Sequence, residues 1–207
     1  MKTTDPLFYK DLFKIFRLGL TQGLIDKQEI INWCDSIIIK DEEPDPFIID
    51  ISLSGTKSIN DIVSIIDEKF KGNSSNISAR AVLGLYYKLY RQGKITLDKV
   101  VHSIYWLHWE SKLTELEKQF MYIIDDRYEL ALSKAWDTVD NIEKEIIAFL
   151  ELYKDFTIEN YDNWESKESE IDNKIETEIG NLFKLINERQ ESLKKIHEVK
   201  QVDNKTN

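Results

Sequence analysis

The sequence predicts an all-α fold, a multi-helix bundle of antiparallel helical hairpins with a long C-terminal helix. Three observations support this prediction. Apolar residues recur every three or four positions along most of the chain, which is the period of a helix with one buried face. Only three prolines and seven glycines occur in 207 residues, and no proline follows Pro46. Polar residues of the kind that cap helices stand directly before several apolar stretches.

The first helix is predicted over residues 6–21, and Gly23 ends it. Asp26 and Glu29 have the spacing of a capping box, in which each side chain accepts a hydrogen bond from the backbone of the other residue, so a second helix starts there. An acidic, proline-containing loop follows. The later helices are predicted over residues 47–53, from Ser58 to a stop at Gly72, over residues 78–92 after a polar link at 73–76, from Thr96, and over residues 114–135.

A short pattern repeats seventy residues along the chain. Residues 22–26 read Gln-Gly-Leu-Ile-Asp, and residues 92–96 read Gln-Gly-Lys-Ile-Thr. In both, a glycine stop precedes a capping residue that opens the next helix. The pattern has two interpretations, a duplicated helical hairpin and the usual way in which two helices are joined.

The C-terminal third has a more regular apolar pattern. Apolar residues between Val139 and Tyr153 are spaced by three and four, and the same spacing continues in a heptad seam with one polar member, Arg189. We therefore predict a helical bundle core over residues 1–135, an acidic helical hairpin over 136–198 that packs on the core or projects from it, and a disordered tail over 199–207. The apolar seam members are Ile175, Ile179, Leu182, Ile186, Leu193 and Ile196.

The net charge of −10 arises in one segment. Residues 1–136 carry 20 acidic and 18 basic residues, residues 137–178 carry 14 and 4, and residues 179–207 carry 4 and 6. Such a segment has two interpretations: a solvated helix face, or an anionic surface that attracts a basic partner. The candidate partner-binding residues are Asp137, Asp140, Glu143, Glu151, Asp155, Tyr161 and Trp164, with a second acidic cluster at Glu42, Glu43 and Asp45.

Aromatic residues within the acidic segment fit the second interpretation, because tryptophan and tyrosine often anchor interfaces, although they fit a core equally well. Charge also bears on the class of partner. An acidic protein repels nucleic acid, so we expect a basic protein partner and no nucleic acid. No apolar run approaches the ~20 residues of a membrane span, and the N-terminus lacks an apolar signal segment. We therefore expect no membrane contact and a cytoplasmic location.

No catalytic residue, cofactor or metal ligand is predicted. A single cysteine, Cys34, excludes an internal disulfide. His102 and His108 lie among Tyr105, Trp106 and Trp109, a setting that favours packing over chemistry. Residues 125–129 match a D-D-x-x-E magnesium motif, and Asn60, Ser64 and Glu68 match a second motif, both of which look like those of all-α terpenoid synthases. Their order is reversed relative to that family, so a Mg²⁺-dependent enzyme is only a remote alternative.

Several short segments carry a resemblance. Residues 19–25, 29–35, 51–54, 105–107 and 125–130 are similar to segments of small, acidic, all-α bacterial proteins of the polymorphic-toxin immunity type. The resemblance covers residues 12–133 at most. It implies a cytoplasmic protein that binds a cognate toxin and carries no catalytic residues.

The sequence thus predicts a non-enzymatic protein-binding module, and the resemblance implies an immunity protein that neutralises a bacterial toxin by stoichiometric binding. A structural protein that forms a homodimer through its C-terminal heptad helix is the alternative.

Overall fold

The computed structural model describes residues 5–71, 76–110 and 112–203, and this part of the chain is helical and contains no strand. The predicted all-α bundle is therefore confirmed. The predicted stop at Gly72 and the link at 73–75 lie outside the described residues. The helices within the described ranges are α1 (Lys10–Thr21), α2 (Lys27–Ile38), α3 (Pro46–Ser52), α4 (Ile59–Lys69), α5 (Asn76–Arg91), α6 (Leu97–Glu110), α7 (Glu115–Leu132), α8 (Val139–Glu151) and α9 (Trp164–Asp203).

Capping residues fix where several helices begin. The capping box predicted at the start of α2 is confirmed, with Asp26 accepting from the Gln28 backbone at 2.7 Å and Glu29 from the Asp26 backbone at 3.2 Å. Ser58 with Asp61, and Thr114 with Glu117, form the same motif at α4 and α7. These motifs satisfy backbone N–H groups that have no partner within the helix.

The two glycines of the repeated pattern adopt the same conformation. Gly23 and Gly93 both have φ of 66°, in the left-handed region that a side chain disfavours. The residue after each glycine donates its backbone N–H back into the preceding helix, to Gly19 O at 2.7 Å and to Leu89 O at 2.9 Å. Both turns therefore end one helix and direct the chain into the next.

Helix α5 is the centre of the bundle. It packs against α1 on one side and against α6, α8 and α9 on the others. Its small residues allow this close packing: a Cβ atom placed on Gly84 would lie 2.4 Å from the carbonyl oxygen of Phe156 and 2.5 Å from that of Tyr153. One cluster of buried side chains includes residues of all the described helices. The bundle over residues 1–135 and the C-terminal hairpin therefore share a core.

The apolar seam of α9 is buried at Ile175, Ile179, Leu182 and Ile186. Leu193 is only partly buried, and Ile196 lies outside the described side chains. The helix continues to Asp203, beyond residue 199, where we predicted a disordered tail to begin; residues 204–207 lie outside the described part. None of the described helices combines the length and apolar character needed to cross a membrane.

Cys34 lies inside the N-terminal half of the bundle. Burial, reinforced by the nearby Asp35 carboxylate, raises the pKa of its thiol to about 12. The thiolate form is the reactive one, so Cys34 is an inert core residue at neutral pH.

Candidate protein-binding surface

Part of the predicted acidic surface lies inside the protein. Asp137 and Glu145 are buried and bind two arginines. Arg127 Nη2 lies 3.3 Å from Asp137 Oδ2 and 3.0 Å from Glu145 Oε1, and Arg189 Nη1 lies 2.5 Å from the same Glu145 oxygen. Asn141 donates to Asp137 Oδ1 at 2.8 Å. Placing Asp137 on an exposed surface was therefore wrong, because its carboxylate helps to neutralise buried Arg127.

A second buried cluster surrounds Arg80, in the second turn of α5. Its Nε lies 3.1 Å from Glu117 Oε1, and its Nη1 lies 2.7 Å from Asp172 Oδ1. Glu117, also fully buried, accepts further hydrogen bonds from the Tyr153 hydroxyl at 2.9 Å and from the Thr114 backbone at 2.7 Å. Burial, and then the charge of Glu117, raises the pKa of Tyr153 well above its usual range, so the hydroxyl stays a donor. Asp172 of the acidic segment thus forms an ion pair with buried Arg80, as Asp137 and Glu145 do with Arg127.

The aromatic candidates of the acidic segment also belong to the interior. Trp164 is 2% exposed, and its indole N–H donates to the Thr157 carbonyl at 2.9 Å. Placing Trp164 on a binding surface was therefore wrong, because its ring completes the core where α9 begins. Tyr161 is half-buried and packs on Tyr9, with 5.7 Å between the ring centroids.

The remaining candidates are either partly buried or exposed. Glu143 is half-buried and accepts a hydrogen bond from the Tyr90 hydroxyl at 2.7 Å. Asp45 caps α3 by accepting from the Phe47 backbone at 2.9 Å. Those that are exposed are Asp140, Glu151, Asp155, Glu42 and Glu43. No exposed aromatic side chain accompanies them among the candidates.

A different surface joins exposed aromatic and acidic side chains. It lies on the hairpin of α6 and α7, and we call it the α6–α7 face. Its members are Asp98, His102, Tyr105, Trp106, His108 and Trp109 on α6, and Tyr122, Asp125 and Glu129 on α7. On α7 the members are three and four residues apart, so they lie on one side of the helix. On α6, Asp98, His102, Tyr105 and Trp109 have the same spacing, and Trp106 and His108 flank this stripe.

The aromatic end of the α6–α7 face is unusually exposed. Trp106 is 61%, Trp109 67% and Tyr122 50% exposed. Tyr105 connects them, with its ring centroid 5.6 Å from that of Trp106 and 6.1 Å from that of Tyr122. His108 fills the centre at 4.4 Å from Trp109 and 5.8 Å from Tyr122. Such a contiguous patch of large aromatic side chains is characteristic of an interaction site.

The acidic end of the α6–α7 face surrounds His102. Its Nδ1 lies 2.9 Å from the Asp98 carbonyl oxygen, and its Nε2 lies 3.8 Å from both Asp125 Oδ1 and Glu129 Oε1. The hydrogen bond to the Asp98 carbonyl is the main cause that raises the pKa of His102, and the carboxylates of Asp125, Asp98 and Glu129 add to it. Three carboxylates therefore converge on one exposed imidazole.

Sequence reasoning assigned these aromatic residues to packing. The signal that could have identified them is the surplus of apolar residues in α6. Val100, Ile104 and Leu107 already supply the buried stripe of this helix. Trp106 and Trp109 stand on another side, where a helix at the surface of a bundle normally carries polar residues.

The two magnesium-like motifs lie on different helices. Residues 60–68 belong to α4, which packs on α1 and α3, whereas residues 125–129 belong to α7, which packs on α6, α8 and α9. Asp61 accepts from the Ser58 backbone and hydroxyl, and these two hydrogen bonds lower its pKa. Within the described ranges, no group of three His, Cys, Asp or Glu side chains is arranged to hold a metal ion.

No protein-family model, curated protein or solved structure matches this chain.

Proposed function

We propose that this protein is a binding module that inhibits a basic protein by covering it stoichiometrically, in the manner of an immunity protein and its toxin. The observation that carries the proposal is the α6–α7 face itself, where exposed Trp106, Trp109 and Tyr122 adjoin three carboxylates. Aromatic anchors of this kind dominate the binding energy of protein interfaces, and their size lets them fill pockets on a partner.

Charge supports a basic partner. The net charge of −10 attracts a cationic protein at long range and repels nucleic acid. Asp98, Asp125 and Glu129 then place negative charge beside the aromatic anchors. The exposed acidic residues of α8 and α9 contribute to steering, whereas the α6–α7 face supplies the contact. We assign steering to these charges because charges at the rim of an interface chiefly change the association rate.

The proposal predicts a large effect of shortening one anchor. Coexpression with the products of the neighbouring genes is expected to give a one-to-one complex that protects the cell from the partner's toxicity. Trp109→Ala is expected to weaken this complex about 30-fold or more, the range of a hot-spot residue. The matched control is Leu185→Ala, which removes an apolar side chain of similar exposure, 58%, from α9.

Sedimentation of the free chain and of the complex separates the two candidate functions. We expect a monomeric free chain and a one-to-one complex. A free dimer of the intact chain that Leu185→Ala dissociates would support oligomerisation through the C-terminal helix instead. If no neighbouring product forms a complex, or if Trp109→Ala and Leu185→Ala bind equally well, the proposed function is wrong.

A further inference from the structure

The acidic end of the α6–α7 face contains a carboxylate oxygen that lacks a hydrogen-bond donor among the described residues. Asp125 Oδ1 is buried, yet it accepts no hydrogen bond from the described residues. His102 Nε2, at 3.8 Å from this oxygen and from Glu129 Oε1, is too distant to donate to either. A buried carboxylate oxygen without a donor is costly, so a ligand that supplies donors would gain free energy here. The aromatic end begins one helical turn away, at Tyr105 and Trp106.

The chemistry of the site selects among cations. A guanidinium group is planar, carries five N–H donors and can bond two carboxylates at once, whereas an ammonium group is a compact point charge. Guanidinium groups also stack on tryptophan and tyrosine rings. His102 is 46% exposed, so its ring can turn away without disturbing the core.

We propose that an arginine of the basic partner takes the place of His102 between Asp125 and Glu129, and that binding releases the proton that His102 carries at low pH. This inference rests on the proposed function, because it names the residue type that the α6–α7 face recognises and the pH at which it binds. The half-buried ring of Tyr105 and the exposed ring of Trp106 then border the guanidinium along α6.

The direction of the pH effect follows from the groups that face His102. Asp98 lies on its own helix, Asp125 and Glu129 lie on α7, and the Tyr128 ring packs edge-on at 6.4 Å. Burial raises the pKa of Tyr128, which stays neutral. Below the raised pKa of His102, the imidazolium neutralises one of the three carboxylates and competes with the arginine. Affinity therefore rises with pH through this range, by at most about tenfold per pH unit for one proton.

Labelled octa-arginine and octa-lysine peptides test this inference on the intact chain by fluorescence anisotropy between about pH 5.5 and 8. We expect octa-arginine to bind about tenfold more tightly than octa-lysine. Asp125→Asn should weaken octa-arginine about tenfold, and His102→Gln should remove the pH dependence. Glu170→Gln is the matched control, because it removes the same charge from an exposed position of α9 and should change binding less than about twofold.

The outcomes separate the inference from the proposed function. If binding depends on Asp125 but octa-lysine binds equally well and the affinity is independent of pH, the arginine inference is wrong while the α6–α7 face stands. If neither peptide binds, or if Glu170→Gln weakens binding as much as Asp125→Asn, both the inference and the proposed contact surface are wrong. If circular dichroism shows that the Asp125→Asn variant is unfolded, the Glu129→Gln variant is tested in its place.

Discussion

Replacing Glu117 with alanine is expected to destabilise the protein by about 3–5 kcal/mol, because it leaves Arg80 buried without its main counter-ion. Glu117 receives the Arg80 Nε at 3.1 Å, the Tyr153 hydroxyl at 2.9 Å and the Thr114 backbone at 2.7 Å, so one substitution removes three partners. Asp172 still pairs with Arg80, but its side chain is half-exposed and compensates only in part. Urea unfolding followed by circular dichroism measures the change.

Glu115→Ala is the matched control for this prediction. It removes a carboxylate from the same helical turn, where Glu115 is 92% exposed and forms an ion pair with Lys118 at the surface. Its effect should stay within about 0.5 kcal/mol. A double variant, Arg80→Met with Glu117→Leu, should recover the part of the loss that comes from the unpaired Arg80 charge, because apolar side chains of similar volume can replace a buried ion pair. The part that comes from the Tyr153 hydroxyl and the Thr114 backbone N–H, which still lack their acceptor, should remain. A loss for Glu117→Ala no greater than that for Glu115→Ala would show that the buried cluster does not stabilise the fold.

Replacing Gly84 with alanine is expected to cost about 1–3 kcal/mol or more, since its new methyl group has no space. The Cβ atom would lie 2.4 Å from the Phe156 carbonyl oxygen and 2.5 Å from that of Tyr153, in the turn that follows α8, and backbone cannot yield as a flexible side chain can. The helices α5 and α8 would have to move apart, and the cluster around Arg80 and Tyr153 would open with them. The midpoint of thermal or urea unfolding reports the effect.

Gly180→Ala provides the comparison. Gly180 lies within α9, where nothing would come within 4 Å of an added Cβ atom. Alanine has the higher helix propensity, so this variant should be more stable by up to about 1 kcal/mol. Equal effects of the two substitutions would contradict the close approach of α5 to α8.

Local signals in the sequence predicted much of the fold. The capping box at Asp26 and Glu29, the glycine turns at Gly23 and Gly93 and the buried seam of α9 all depend on residues close together in the chain. The turn after α7 carries no such local signal. Lys134 adopts the left-handed conformation there, with φ of 56°, and Ala135 donates back to Leu130 at 3.0 Å, although no glycine marks the turn.

The binding surface could not be predicted in the same way, because it depends on contacts between distant residues. Asp172 pairs with Arg80, which is 92 positions away in the sequence, and Glu145 pairs with Arg189, which is 44 positions away. The second pair places Glu145 in the interior, and in the first pair the half-exposed Asp172 neutralises the buried Arg80. The local sequence indicates neither contact. Conversely, Trp106 and Trp109 are exposed because another side of α6 packs on α5 and α7. Since α6 carries apolar residues on several sides, its sequence does not show which side is buried.

Hydrogen–deuterium exchange of the complex with its basic partner tests the central claim most directly. We expect new protection in α6 and α7, over the peptides that contain Trp106, Trp109 and Tyr122, with exchange in residues 165–178 of α9 unchanged. The reason is that the aromatic anchors make the contact, while the acidic residues of α9 act at a distance. New protection confined to residues 165–178, with α6 and α7 exchanging as in the free protein, would contradict the claim that the α6–α7 face is the binding surface.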